Sequence, residues 1–221
     1  GTDTLIRIDA VVGSANNDIL VGGSTSMTFN GMYFESFVGG AGNDFIAGGV
    51  TSGVFLSDFD QVDYSGATAA VNVNLNTGVA TGDASVGTDT LVDINVVLGS
   101  AYNDTLTGGN AGNDTFAELF QGGAGNDLIN GGTGFDRADY HYSPAGVVAN
   151  ISAGPLAAGT YGGITTVAVA AGTARDGYGG IDTLISIEAL RGGAFNDILI
   201  GSDFDVNQAY WLSAAESFQG M

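Results

Sequence analysis

The sequence predicts an all-β protein: a parallel β-roll, or β-solenoid, with irregular loops and some inserted strands. Three observations carry this. One segment occurs three times in the 221 residues, and a nine-residue glycine-aspartate pattern recurs through the copies. Helical periodicity is hard to find, and 38 residues are glycine, which disfavours helix interiors by about 1 kcal/mol each.

The shared segment is GTDTLIRIDAVVGSANNDILVGG at 1–23, GTDTLVDINVVLGSAYNDTLTGG at 87–109 and GIDTLISIEALRGGAFNDILIG at 180–201. A second block follows it, FESFVGGAGNDFIAGG from Phe34 and ELFQGGAGNDLINGG from Glu118, and ESFQG begins it again at Glu216. A third pairs DFDQVDYSGATAAVNVNL from Asp58 with GFDRADYHYSPAGVVANI from Gly134. Insertions fall between blocks and not within them; the stretch 152–179 is 17 residues longer than its counterpart 76–86. The expected organisation is copy one at 1–86, copy two at 87–179 and a truncated copy three at 180–221. Together these should form one elongated solenoid, a segment of a longer array or secreted polypeptide.

Inside the blocks the pattern is Gly-Gly-x-Gly-x-Asp-x-apolar-x. It is complete at 39–47 (GGAGNDFIA) and 122–130 (GGAGNDLIN), and the latter runs directly into 131–139 (GGTGFDRAD). Weaker forms occupy 13–21, 99–107, 109–117 and 192–200, and GTDTL, GTDTL and GIDTL are half-motifs. Glycine tolerates positive φ, so the first half can make a tight turn with carbonyls pointing inward, to which the Asp adds a carboxylate. A ring of hard oxygens suits Ca²⁺. The candidate ligands are therefore Asp3, Asp18, Asp44, Asp89, Asp104, Asp114, Asp127, Asp136, Asp182 and Asp197. Candidate backbone carbonyls are those of Gly39, Ala41, Asn43, Gly122, Ala124, Asn126, Gly131, Thr133 and Phe135. Asp60, Asp63 and Asp139 are weaker candidates because they flank a strand instead of closing a glycine turn. Asp9, Asp93 and Glu188 share a repeat position without glycine neighbours and are expected on a solvated face.

Two places after most motif aspartates comes an apolar residue: Leu5, Leu20, Ile46, Leu91, Leu106, Phe116, Ile129, Leu184 and Leu199, with Ala138 the small member. That spacing predicts a three-residue strand whose central side chain points into the core. Successive turn-strand units then stack, each burying its apolar residue against its neighbours. Asp104, Asp114, Asp127 and Asp136 are 10, 13 and 9 residues apart, so the roll should be broken by bulging loops. Between motifs, 71–76, 147–151 and 164–170 read as strands, with a hairpin at 159–163. A short helical turn fits 209–217 at most.

Charge points the same way. Of 24 acidic residues 20 are Asp, against four Arg and no Lys, a net charge of -20 that repels itself unless cations neutralise it. A nucleic-acid partner would need a basic stripe. No apolar run is long enough for membrane insertion as a helix, and the opening Gly1-Thr2-Asp3-Thr4 does not read as a signal peptide. The lack of cysteine removes disulfides and thiolate sites. His141 is the sole histidine, which leaves no Ser-His-Asp constellation to argue. Tyr64, Tyr140 and Trp211 read as core or cap residues.

The nonapeptides at 39–47 and 122–139 resemble those of the RTX (repeats-in-toxin) family, the calcium-binding β-roll of type I secreted bacterial proteins. The resemblance implies several Ca²⁺ ions bound between turns, export in an unfolded state and folding outside the cell. The expectation is a non-catalytic, calcium-folded structural module of a secreted or cell-surface bacterial protein, such as an adhesin stalk, surface layer or matrix fibre. The alternative is an accessory module of an exported enzyme whose catalytic domain lies elsewhere. An open-ended solenoid presents an unpaired edge, so self-association into arrays or fibres is compatible with the sequence, as is a surface polysaccharide partner.

Overall fold

The computed structural model describes residues 9–23, 28–29, 32–49, 58–109, 118–202 and 218–219. Among these all regular structure is strand: β1 (Ala10–Val12), β2 (Ile19–Val21), β3 (Thr28–Phe29), β4 (Met32–Val38), β5 (Phe45–Ala47), β6 (Asp58–Asp63), β7 (Asn72–Asn74), β8 (Val79–Thr81), β9 (Thr88–Val92), β10 (Val96–Leu98) and β11 (Thr105–Thr107). There follow β12 (Leu119–Gln121), β13 (Leu128–Asn130), β14 (Arg137–Asp139), β15 (Val148–Asn150), β16 (Gly159–Tyr161), β17 (Ile164–Thr166), β18 (Thr173–Arg175), β19 (Ile181–Ile185), β20 (Ala189–Arg191), β21 (Ile198–Ile200) and β22 (Phe218–Gln219). The helical turn expected at 209–217 lies outside the described residues.

The chain winds between two long sheets. The first has the order β1-β4-β6-β10-β12-β14-β20-β22, strictly in chain order, with β3 beside β4. Its neighbours along that path are all parallel. The second has the order β2-β5-β9-β8-β7-β11-β13-β19-β18-β15-β21. Parallel pairing between strands separated by a return through the other sheet is what defines a solenoid, so the expected architecture is present.

Register explains why strands of three residues suffice. In the first sheet Val11, Phe37, Val62, Val97, Phe120, Ala138 and Leu190 stand in line, one per coil. In the second, Leu20, Ile46 and Leu91 stand in line, as do Ala80, Val73, Leu106, Ile129 and Leu184, and again Ala174, Ala149 and Leu199; where the meanders join, the register sets Ala80 opposite Asp89 and Ala174 opposite Asp182. Both files close on one core. Most of the three-residue strands bury one side chain, worth about 1.5–3 kcal/mol for a Val, Leu, Ile or Phe, against their neighbours.

The inserted strands are more regular than the sequence suggests. At two places the second sheet gains a three-stranded meander, β7-β8-β9 and β15-β18-β19, whose middle strand is antiparallel to both neighbours. The inward residues of the middle strands are Ala80 and Ala174, both fully buried. The expected strands at 71–76 and 147–151 appear as β7 and β15. The hairpin at 159–163 appears as β16-β17, over a small satellite cluster of Val148, Val169 and Ile198. Strands β8 and β18 were not foreseen, because VAT and TAR have no alternation long enough to register.

Candidate metal centre

The turns lie on two edges, and on the first an aspartate ladder runs from coil to coil. Asp18 N–H donates to Asp44 Oδ1 (2.8 Å), and Asp44 N–H to Asp89 Oδ1 (2.9 Å). A second run passes from Val71 N–H to Asp104 Oδ1 (2.8 Å), Asp104 N–H to Asp127 Oδ1 (2.8 Å) and Asp127 N–H to Asp182 Oδ1 (3.0 Å). Val147 N–H donates to Asp197 Oδ1 (2.8 Å). Both runs end on tyrosine, with the Tyr64 hydroxyl on Asp89 Oδ2 and the Tyr140 hydroxyl on Asp182 Oδ2, each at 3.0 Å. The preceding asparagines form a parallel ladder: Asn17 Oδ1 accepts from Asn43 N–H, Asn43 Oδ1 from Thr88 N–H, Asn103 Oδ1 from Asn126 N–H and Asn126 Oδ1 from Ile181 N–H. One carboxylate oxygen of each motif Asp among the described residues is therefore committed to the backbone.

The second oxygen divides the turns into two kinds. At 13–18 and 99–104 the second motif position is serine, and its N–H closes the turn on the carboxylate: Ser14 on Asp18 Oδ2 (2.6 Å) and Ser100 on Asp104 Oδ2 (2.5 Å). Gly193 N–H does the same to Asp197 Oδ2 (2.8 Å). At 39–44 and 122–127 that position is a glycine in the left-handed region, Gly40 at φ 93° and Gly123 at φ 95°. The N–H no longer reaches the aspartate, and Asp44 Oδ2 and Asp127 Oδ2 are buried without a hydrogen-bond partner. The turn 131–136 has the same backbone, with Gly132 at φ 88° and Gly134 at φ 139°, and Asp136 is fully buried.

The carboxylates feel this confinement. Burial, reinforced by Asp182, Asp104 and Asp176, pushes Asp127 up to about 7, despite the hydrogen bond from Asp104. Burial pushes Asp182 up to about 6, Asp176 adding to it against the hydrogen bonds it accepts. Asp89, Asp104 and Glu188 are also raised, chiefly by burial. Among the described residues no ion pair reaches these carboxylates: Arg137 and Arg191 are both drawn to Asp139 Oδ2, at 2.9 and 3.4 Å. Among the described residues no three acidic or histidine side chains converge on one point. Any cation here would be held by one or two carboxylates completed by backbone carbonyls, a donor set that suits hard, oxygen-seeking Ca²⁺.

On the opposite edge Glu118 N–H donates to Asp136 Oδ1 (3.1 Å), Asp136 N–H to Glu188 Oε2 (2.9 Å) and Asp60 N–H to Asn95 Oδ1 (2.9 Å). Glu188 is thus not on the solvated face expected of it; it is half-buried, its carboxylate accepting from Asp136 N–H just ahead of the pairing of β14 with β20. Glu35 and Glu118 are buried and accept from Gly23 and Gly109 N–H. Sequence reasoning missed both, although each lies four residues before a Gly-Gly turn in the shared second block. Asp63 and Asp139 each accept from the N–H two residues on, at Ser65 and His141. Asp3 and Asp114 lie outside the described residues.

The class defined by this arrangement is a β-roll whose glycine turns confront buried carboxylates with backbone carbonyls. Residues 31–50, 85–117, 109–138 and 187–205 match the RTX calcium-binding nonapeptide repeat in four copies. Over those segments the chain is similar to RTX calcium-binding nonapeptide repeats, which supports a calcium-binding repeat module. No curated protein matches it.

Proposed function

We propose that the chain is a calcium-folded structural module of a secreted or cell-surface bacterial protein, such as an adhesin stalk, surface layer or matrix fibre, and that it performs no catalysis. One observation carries the reading: buried carboxylate oxygens at Asp44 and Asp127 stand unpaired in the complete nonapeptides and are closed by N–H groups in the serine variants. A buried unpaired carboxylate oxygen costs several kcal/mol unless an ion or water answers it. The ions are assigned to the turns of Asp44, Asp127 and Asp136, with carbonyls of 39–43, 122–126 and 131–135, in preference to Asp18, Asp104 and Asp197. Asp89 and Asp182, tied to tyrosine, border these sites. Asp60 belongs to the opposite edge, and Asp63 and Asp139 close local turns.

Such a module is useful in export if it is loose at cytosolic calcium and firm at millimolar calcium. The melting temperature should therefore climb as free Ca²⁺ is raised from 10 µM to 10 mM, since stabilisation grows as RT ln(1 + [Ca²⁺]/Kd) for sites with Kd of about 0.1 mM. A melting temperature already saturated below 1 µM would contradict the proposal, because the chain would then be folded before leaving the cell.

A further inference from the structure

Copy two carries a buried carboxylate with no equivalent in copy one. Asp176 and Asp83 each stand six residues before the aspartate of the next half-motif, Asp182 and Asp89. Asp83 is exposed and satisfied: Oδ1 accepts from Ser85 N–H (2.9 Å) and Oγ (2.5 Å), and Oδ2 from Thr68 Oγ1 (2.8 Å). Asp176 is fully buried. Its Oδ1 takes three N–H groups, from Tyr178 (3.0 Å), Gly179 (2.9 Å) and Gly180 (2.8 Å), while its Oδ2 is buried with no partner. The change follows from sequence: DASVGTD in copy one becomes DGYGGID in copy two, and Gly177 and Gly179 take φ of 80° and 111°. The loop curls inward over the carboxylate, and Ser143 Oγ pins it through the Asp176 carbonyl (2.7 Å).

The unpaired oxygen faces a defined place. A methyl group on Gly180 would fall on the Gly125 carbonyl oxygen and lie 2.7 Å from Asp176 Oδ2. The two oxygens therefore flank the same gap beside Gly180, at the tip of the complete turn 122–127. At the matching Gly87 of copy one the neighbours are the Gly42 carbonyl and Asn43 Oδ1, with no carboxylate. We propose that Asp176 Oδ2 and the Gly125 carbonyl form a calcium site specific to copy two, outside the nonapeptide aspartates, that clamps the 176–180 loop onto the 122–127 turn. The charge of Asp176 already reaches Asp127 and Asp182, which places all three carboxylates in one electrostatic neighbourhood.

The inference rests on the calcium reading above, and the test separates the two. Bound calcium is counted on the full chain by equilibrium dialysis and atomic emission. The Asp176→Asn variant, which keeps Oδ1 for the three N–H groups, should bind one ion fewer than the unsubstituted chain, and Asp83→Asn the same number. An unchanged count and affinity in Asp176→Asn would overturn the site and leave a buried water in its place. An unsubstituted chain that bound no calcium would overturn the calcium reading itself, and this site with it. Should Asp176→Asn not fold, crystals of the unsubstituted protein soaked in Tb³⁺ decide. An anomalous peak at about 2.3–2.6 Å from Asp176 Oδ2 and the Gly125 carbonyl supports the site, and its absence overturns it.

Discussion

In excess chelator at pH 8 the far-ultraviolet circular dichroism of the chain should lose its β-sheet signal, and acidification to pH 5 without calcium should restore much of it. The first half follows from linkage. A site with Kd of about 0.1 mM in about 1 mM Ca²⁺ contributes about 1.4 kcal/mol, so three supply about 4 kcal/mol, a large share of the 5–15 kcal/mol typical of a domain. Chelation also removes about +6 of neutralising charge from a chain at -20. The second half follows from the buried carboxylates. Asp127 at about 7 and Asp182 at about 6 are raised above the ordinary unfolded value of about 3.9. The metal-free fold therefore binds protons that the unfolded chain does not between about pH 4 and 7. Its stability rises as pH falls through that window and levels off below it. A proton does crudely for each carboxylate what calcium does in the loaded protein. A spectrum indifferent to chelator at pH 8, or a further loss of structure on acidification to pH 5, would contradict this.

Gly87→Ala should cost about 3 kcal/mol or more in calcium, in the range of truncating a large core side chain. Gly87 sits at φ 84°, where any residue with a Cβ is strained by about 1–2 kcal/mol. Its methyl would fall on the Gly42 carbonyl oxygen and within 2.9 Å of Asn43 Oδ1. Neither neighbour can retreat cheaply: Asn43 Oδ1 holds Thr88 N–H, and Asp44 N–H holds Asp89, so moving the 39–44 turn breaks both ladders. Gly66→Ala is the control. Nothing lies within 4 Å of a methyl there, and removing a glycine from an unstrained loop stabilises by about 0.4–1 kcal/mol. Guanidinium unfolding of the two variants in 10 mM Ca²⁺ should separate them clearly; equal midpoints would mean that close stacking of the turns is not what holds the coils together.

Much of the solenoid could be read in advance because its information is local. The aspartate-x-apolar spacing marked the central residue of each short strand, and Leu20, Ile46, Leu106 and Ile129 all point into the core as that spacing requires. Glycine turns were legible for the same reason, since the motif and the turn are one object. The meanders were not legible, because β8 and β18 are short and their pairing is decided by which strands lie beside them. Nor was the division among the aspartates. Asp18 and Asp44 differ in turn sequence at two positions, Ser14 against Gly40 and Asn16 against Gly42, and the φ at the first of these decides whether an N–H or an unpaired oxygen faces the turn. Asp176 was overlooked because it precedes its glycines instead of following them. Glu35 and Glu118 were hidden by a search for aspartate alone.

Calcium counting on the Asp44→Asn and Asp18→Asn variants tests the central claim most directly. The two aspartates stand in adjacent coils of one ladder, Asp18 N–H on Asp44 Oδ1, and differ in whether the second oxygen is already closed by an N–H group. Asp44→Asn should lose at least one bound ion and Asp18→Asn none. Equal losses in the two variants, or a loss in Asp18→Asn alone, would contradict the account that left-handed glycine at the second motif position is what opens a turn to calcium.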